Sequence, residues 1–193
     1  MVTIREEKFA DIAVREGLLD QAYGASRFAK ASERLREGRV PADGLSLVAV
    51  ERGRIVGTVR LWHVTAGPGC AALLLGPLAV DPAHRNRGIG TALMRCAIAR
   101  ARLAGHRAIV LVGDAAYYSR FGFTAAPTGE LWMPGRFERD RLLALELHPD
   151  ALAGTRGLIA ATGALAPKPD LNLLIAASHG ARRLQQARLK RAA

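Results

Sequence analysis

Between Leu73 and Thr91 the chain reads LLLGPLAVDPAHRNRGIGT, and the residues best suited to hold a ligand stand at its end: Arg85, Asn86, Arg87, Gly88, Ile89, Gly90 and Thr91. Gly88 and Gly90 let backbone N–H groups come close to a bound group, and a helix starting there gives those N–H groups a partial positive charge. The guest that suits them is an anion, above all a phosphate. Two common phosphate loops are excluded by spacing. A P-loop requires Gly-Lys-Ser/Thr after four spacers, whereas Gly90 is followed by Thr91 and Ala92. The dinucleotide fingerprint requires a glycine or alanine three residues after its second glycine, and that position is Leu93.

What remains is Arg85-x-x-Gly88-x-Gly90 directly after a strand and a proline turn, and it resembles the acetyl-CoA pyrophosphate loop of the GNAT (GCN5-related N-acetyltransferase) family. A second stretch agrees with it in order. Gly113 to Phe123, GDAAYYSRFGF, resembles the family segment in which a tyrosine lies four residues before a Gly-Phe pair, and Tyr118 occupies that place. The resemblance covers residues 1 to 148, with its specific motifs confined to 78–91 and 113–123. It implies an α/β (α+β) fold with a mixed central sheet: antiparallel N-terminal strands, splayed strands 4 and 5, flanking helices and a C-terminal extension. It implies acetyl-CoA as cosubstrate, held by Leu78, Ala79, Val80, Arg85 to Thr91, Asp114 and Tyr118. Tyr23, Arg27, Phe28 and Trp132 become candidate acceptor contacts, although packing roles serve each of them equally well. Two departures stand out. The asparagine that many members carry after the fifth strand is replaced by Asp114, and the fourth strand, Ala71 to Gly76, lacks the glutamate that members often use as a base.

Acetyl transfer to an amine sets three demands. An alkylamine with a pKa near ~10 must lose a proton before attacking a thioester. The tetrahedral intermediate needs N–H donors for its oxyanion, and a strand disturbed at Pro77 can offer amides around Leu78 to Val80. The departing thiolate, from a thiol of pKa near ~8.5, can take a hydrogen bond or a proton from a phenol, which makes Tyr118 the expected catalytic acid. Tyr117 reads as a core aromatic on the opposite helix face. Asp114, Glu51, Glu130 and His63 are candidate bases, with His63 read more readily as a half-exposed strand residue. A water chain would need none of them.

Around these motifs the elements follow from periodicity. Thr3 to Arg5 suggests a first strand, then Phe9, Ile12, Ala13, Glu16, Leu19 and Tyr23 recur at helical spacing, and Ser26 to Glu37 suggests a second helix ending at Gly38. Leu45–Glu51 and Arg54–His63 flank the turn Arg52-Gly53 as a hairpin, and Cys70 to Val80 adds a third antiparallel strand. Ile89, Leu93, Ala97, Ile98 and Ala101 form a helical stripe, and Ala108 to Val112 a second fully apolar strand, parallel to the first through a right-handed crossover. Phe123–Ala126 and Arg141–Leu147 are expected as closing strands. Beyond Pro149 a glycine- and proline-bearing stretch reads as a linker, with helices at 170–177 and 180–192. The domain is therefore expected to span 1–148, with a basic extension over 149–193.

Composition bounds the remainder. The 193 residues suit one domain with an extension, and a hydrophobic fraction of 50% with 23% charged residues is ordinary for a globular protein. The N-terminus lacks a secretory pattern and no window suits a membrane span, so a cytoplasmic protein is expected. Cys70 and Cys96 lack metal-ligand spacing and read as buried small hydrophobes, so no metal is expected. The net charge of +11 is densest at the end, where Arg156, Lys168, Arg182, Arg183, Arg188, Lys190 and Arg191 face only Asp170. Such a tail can reach nucleic acid, so a nucleic-acid or ribosome-binding module competes with the enzyme, as does an acyl-CoA sensor without turnover. The partners expected are an amine acceptor, small molecule or protein, with a homodimer allowed for.

Overall fold

The computed structural model describes residues 1–167. Their frame is a mixed sheet in the order β1-β2-β3-β4-β5-β7, formed by β1 (Val2–Glu6), β2 (Ser46–Glu51), β3 (Arg54–Ala66), β4 (Ala71–Val80), β5 (Ala108–Val112) and β7 (Leu142–Glu146). Helix α1 (Ile12–Tyr23) follows β1, α2 (Ile89–Leu103) crosses from β4 to β5, and the short α3 (Ala115–Tyr118) follows β5. Two further strands, β6 (Leu131–Trp132) and β8 (Gly157–Ala161), pair with each other.

The continuous apolar run in β4 is explained by what lies on its two faces. Leu73 and Leu75 enter one core with Leu93, Met94 and Ala97 of α2, whereas Ala72 and Leu74 enter a second core with Trp62, Leu131 and Leu152. β5 does the same, Ile109 and Leu111 facing the first core and Ala108 and Val110 the second. A strand covered on both sides has no polar face to alternate with.

β4 is antiparallel to β3 and parallel to β5, but the parallel pairing extends only over Leu73↔Ile109 and Leu74↔Val110. The two strands then separate. Where they part, the register against β3 slips by one residue: Val59 faces Leu78 while Leu61 faces Leu75, so Gly76-Pro77 is a bulge in β4, as expected of a proline that cannot donate to the ladder.

Helix α1 buries Leu19 of the expected stripe, with Tyr23 packed beside it, but adds Arg15 and Leu18 and leaves the start of the stripe out: Phe9 is 91% exposed and Ile12 lies at the surface. Arg15 is held by Glu7 at 3.2 Å, so a buried cation takes the place that periodicity assigned to hydrocarbon. Leu18 and Leu19 pack on Ala79, fixing the helix end and Tyr23 against β4. At its other end Asp11 accepts hydrogen bonds from Arg5 Nη1 (2.6 Å) and the Lys8 amide (2.7 Å), which hold its carboxyl down at about 2. Such a depressed group stabilises the fold above the ordinary aspartate value near ~4 and loses that contribution as pH falls toward 2. Because Arg5 is partly exposed, the coupling is screened, and Asp11→Ala should cost about 1–2 kcal/mol at pH 7. Denaturation midpoints at pH 7 and pH 2.5 should show that deficit shrinking on acidification.

Three expectations are corrected in the connecting segments. The expected helix over 26–37 is instead two 3-10 turns, Ala25–Ala29 and Glu33–Leu35, interrupted at Lys30 by extended backbone. After Phe123 only Thr124 bridges to Ala144, and Pro127 then starts a 3-10 turn, Ala126–Thr128, in place of a strand. The stretch after Pro149 is not a linker. β8 pairs antiparallel with the last residues of β3, Val64↔Ala161 to Ala66↔Ile159, and Ile159 and Leu152 are buried, so the packed unit runs past the boundary expected at 148. The long β3 extends beyond β2, and β8 occupies the edge left open. The helices expected at 170–177 and 180–192, and the basic tail they carry, lie outside the described residues. Cys70 and Cys96 are free and only partly buried.

Candidate active site

Where β4 and β5 part, a cleft of about 720 Å³ opens, lined by Leu75 to Leu78 of β4, Val112 to Asp114, Tyr117, Tyr118 and Arg141 on one side and Tyr23, Arg27, Lys30, Ser32 and Arg36 on the other. It shares Arg85 and Tyr117 with a groove of about 420 Å³ that follows the glycine loop through Val80, His84, Asn86 and Gly88 to Thr91, with Arg120 at its edge. Together they form one path from the N-terminus of α2 to the interior of the sheet.

The loop is built as its sequence requires. Asp81 accepts from the Ala83 amide at 2.9 Å to set the turn, and Gly88 caps α2 in the left-handed region at φ 76°. Arg87 does not face the groove. It makes a bidentate pair with Glu51 (2.6 and 3.1 Å), whose carboxyl it holds below the usual range, and His84 lies 3.3 Å from the same carboxylate. Glu51 thus ties the loop to β2, which removes it from the candidate bases. Gly90 leaves room at the groove: a Cβ there would lie 2.8 Å from the Tyr117 hydroxyl, which would have to shift, and 3.6 Å from Val80 Cγ2.

The edge of β4 that faces the cleft can be assigned from its hydrogen bonds. The Asp81 amide donates to Val56 of β3 at 2.9 Å, so by alternation Ala79 also points to β3 while the N–H and C=O groups of Leu78 and Val80 point away from it. The Tyr23 hydroxyl donates to the Leu78 carbonyl, consistent with that direction. Leu78 and Val80 therefore present amides to the cleft. Ala79 is placed elsewhere, its side chain under α1 and its main chain in the β3 ladder.

On the opposite wall, Asp114 caps α3 by accepting from the Ala116 amide at 2.9 Å. Tyr118 packs edge-on against Phe123 and Tyr117, and its ring covers Gly113, where a Cβ would fall 2.2 Å from Cε2. Burial, reinforced by the neighbouring Tyr23 and Tyr117 phenols, pushes the Tyr118 phenol well above its ordinary value. Tyr117 is not the core aromatic expected. Its ring is half-buried with Arg120 over it at 4.6 Å, and its hydroxyl overhangs the glycine loop.

The candidate acceptor residues divide. Tyr23 and Arg27 line the cleft, although Arg27 is tied to Glu16 and to Asp20 at 2.9 Å. Phe28 and Trp132 do not line it: Phe28 is 59% exposed with Arg27 stacked over it at 4.2 Å, and Trp132 is exposed beneath Arg139 at 4.2 Å on the β6–β8 side. Of the candidate bases only Asp114 reaches the cleft. Glu130 borders a separate cavity with Leu152 and Thr155, and the His63 ring lies 5.5 Å from that of His106. Lys30, Ser32, Arg36 and Arg141 were missed, because each is polar and isolated in sequence and only the fold brings them together. Among the described residues no cluster of three or more His, Cys, Asp or Glu could hold a metal, and no helix is long and apolar enough to cross a membrane.

A splayed parallel pair with a glycine loop at its crossover helix defines an acyl-CoA-dependent acyltransferase class, and comparison with known proteins agrees. Residues 42–125 match the model of the Acetyltransferase (GNAT) domain. The chain is 32% identical over 161 residues to an uncharacterized N-acetyltransferase of Escherichia coli K12, YhbS, covering 81% of this chain and 93% of that protein. It is similar in structure to E. coli YhbS in complex with CoA (TM-score 0.68, 31% identity, 83% of this chain and 89% of that one). It is similar also to a GNAT family acetyltransferase from Brucella melitensis in complex with acetyl-CoA (TM-score 0.64, 30% identity, 84% and 96%). The chain belongs to the GNAT acetyltransferase family.

Proposed function

We propose that the protein transfers the acetyl group of acetyl-CoA to a primary amine by direct attack within a ternary complex. The observation that carries this reading is the unbroken path from the loop amides at Gly88–Thr91 to the point where the Leu78 and Val80 amides face Tyr118. The pyrophosphate takes the loop amides and the N-terminus of α2, with Arg85 beside it and Tyr117 above. The CoA and acetyl-CoA held by the two similar structures support acetyl-CoA as the ligand. The pantetheine arm then runs between β4 and β5, completing the sheet pairing that stops at Leu74.

At the thioester, a cleft-facing β4 amide donates to the carbonyl oxygen and strengthens that bond as charge develops. The amine enters past Tyr23, loses a proton to Asp114 or to water reaching it, and attacks the carbonyl carbon. The bonded nitrogen gives up its second proton to water, the C–S bond breaks with its electron pair on sulfur as the carbonyl re-forms, and the Tyr118 O–H meets the new thiolate. With its pKa raised, Tyr118 stays protonated at neutral pH and acts chiefly as a hydrogen-bond donor, since full transfer to a thiolate of lower pKa is uphill.

Incubation with acetyl-CoA and a panel of primary amines should release CoA and yield the acetylated amine. Turnover should rise with pH as the amine deprotonates, and show no falling limb from Tyr118 at the ordinary phenol value near ~10. Acetyl-CoA binding without CoA release from any amine would leave a sensor rather than an enzyme.

A further inference from the structure

The wall of the cleft facing the thioester carries more positive charge than acetyl-CoA needs. Arg85 already belongs to the cofactor groove, and Arg27 is neutralised by Glu16 and Asp20. Three further cations remain around the acceptor end: Lys30, Arg36 and Arg141. Lys30 has no ion pair among the described residues and lies with its Nζ 4.4 Å from the Tyr23 ring centre. Arg36 is buried, its Nη1 close to Gly76 at the β4 bulge. Among the described residues it has a single carboxylate partner, Glu33 at 2.7 Å, and its Nε is without a hydrogen-bond partner. Arg141 reaches the Gly113 carbonyl at 3.4 Å and, among the described residues, pairs only with the exposed Glu138 at 3.3 Å. Among the described residues Asp114 is the one carboxylate that lines the cleft.

We infer that the acceptor is an anionic amine, its carboxylate or phosphate seated among Lys30, Arg36 and Arg141 while its amino group faces the thioester between Leu78 and Tyr118. The inference rests on the acetyltransferase reading and narrows its substrate class. Arg36 is buried and Lys30 and Arg141 stand at the open side of the cleft; a planar or tetrahedral oxyanion seated among them relieves the buried charge and takes paired hydrogen bonds from the guanidinium groups. The Lys30 ammonium responds to this surplus: burial first, then the charges of Arg36 and Arg141, push it below its usual value. A polycationic acceptor would meet the same field as repulsion.

The test pairs acceptors with and without the anionic group, each rate normalised to the free-amine fraction: amino acids against their carboxamides, O-phosphoethanolamine against ethanolamine, with spermidine as the polycation. CoA release should favour each anionic member by about 10- to 100-fold in kcat/KM, the range set by one or two charge-assisted hydrogen bonds. The two anionic series distinguish carboxylate from phosphate. Lys30→Met and Arg141→Gln should compress the ratio within each pair, and raised salt should compress it further. The same pairs are also titrated onto the protein saturated with CoA, a readout that requires no turnover. Anionic members binding preferentially without CoA release would sustain the anion site and overturn the acetyltransferase reading. Equal ratios within pairs in both measurements, or preference for spermidine, would overturn the inference while leaving acetyl transfer intact.

Discussion

Gly90→Val should weaken acetyl-CoA binding by about 100-fold or more while the protein remains folded. Gly90 lies in the first turn of α2 and, unlike Gly88, does not need the left-handed region, so valine there carries no cost in helix propensity, glycine being the poorer helix former. Its Cβ would come within 2.8 Å of the Tyr117 hydroxyl, the free end of a side chain at the groove edge, which can swing aside. The valine methyls then stand where a phosphate must approach the loop amides. Loss of two charge-assisted hydrogen bonds at about 1.5 kcal/mol each gives the stated factor. Calorimetric titration with acetyl-CoA, beside a melting curve for each protein, checks it. Unchanged affinity in a folded variant would remove the loop from the binding site. Gly88→Val is the poorer experiment, because its φ of 76° makes valine strain the backbone and confuses folding with binding.

The loop and the crossover unit were legible in the sequence because each depends on local chemistry. Two closely spaced glycines after Asp81-Pro82, and apolar runs too continuous for a half-exposed strand, can be read without knowing what lies across from them. β8 was not legible. GLIAA is short, lies among glycines and prolines, and acquires its meaning only from the edge that β3 leaves uncovered beyond Arg60. The α1 stripe held at Leu19 and failed at its start for a related reason: periodicity assigns hydrocarbon to the buried face, but Glu7 lets Arg15 occupy it, and Phe9 and Ile12 stay at the surface.

The candidate site shows the same division. Tyr118 could be found from its spacing to Gly122-Phe123, whereas Tyr117, one residue earlier, could not. Its hydroxyl matters through Gly90, 27 positions away in the chain, and only the turn of α3 brings the two together. Arg27 and Glu51 looked like site residues by type, and are instead tied in ion pairs that hold the walls. Lys30, Arg36 and Arg141 carry no mutual spacing in the sequence, and their convergence depends on extended backbone at Lys30 and on the β4 bulge beside Arg36.

Tyr118→Phe should keep acetyl-CoA affinity and lower turnover by about 10²- to 10³-fold. The ring that covers Gly113 and packs on Phe123 is retained, so cofactor packing and stability should change little. Only the O–H is lost, and with it the donor that meets the developing thiolate in a site where burial already disfavours charge. Tyr117→Phe is the matching control: its hydroxyl overhangs the loop, so its loss should weaken acetyl-CoA binding a few-fold without a comparable fall in kcat. The leaving group separates a chemical role from a packing one. An acyl donor whose thiol is more acidic than that of CoA needs less help to depart, so the deficit of Tyr118→Phe should shrink with it, whereas a packing defect would persist unchanged. Full activity of Tyr118→Phe with acetyl-CoA would show instead that water or the cleft-facing amides of β4 serve the departing sulfur.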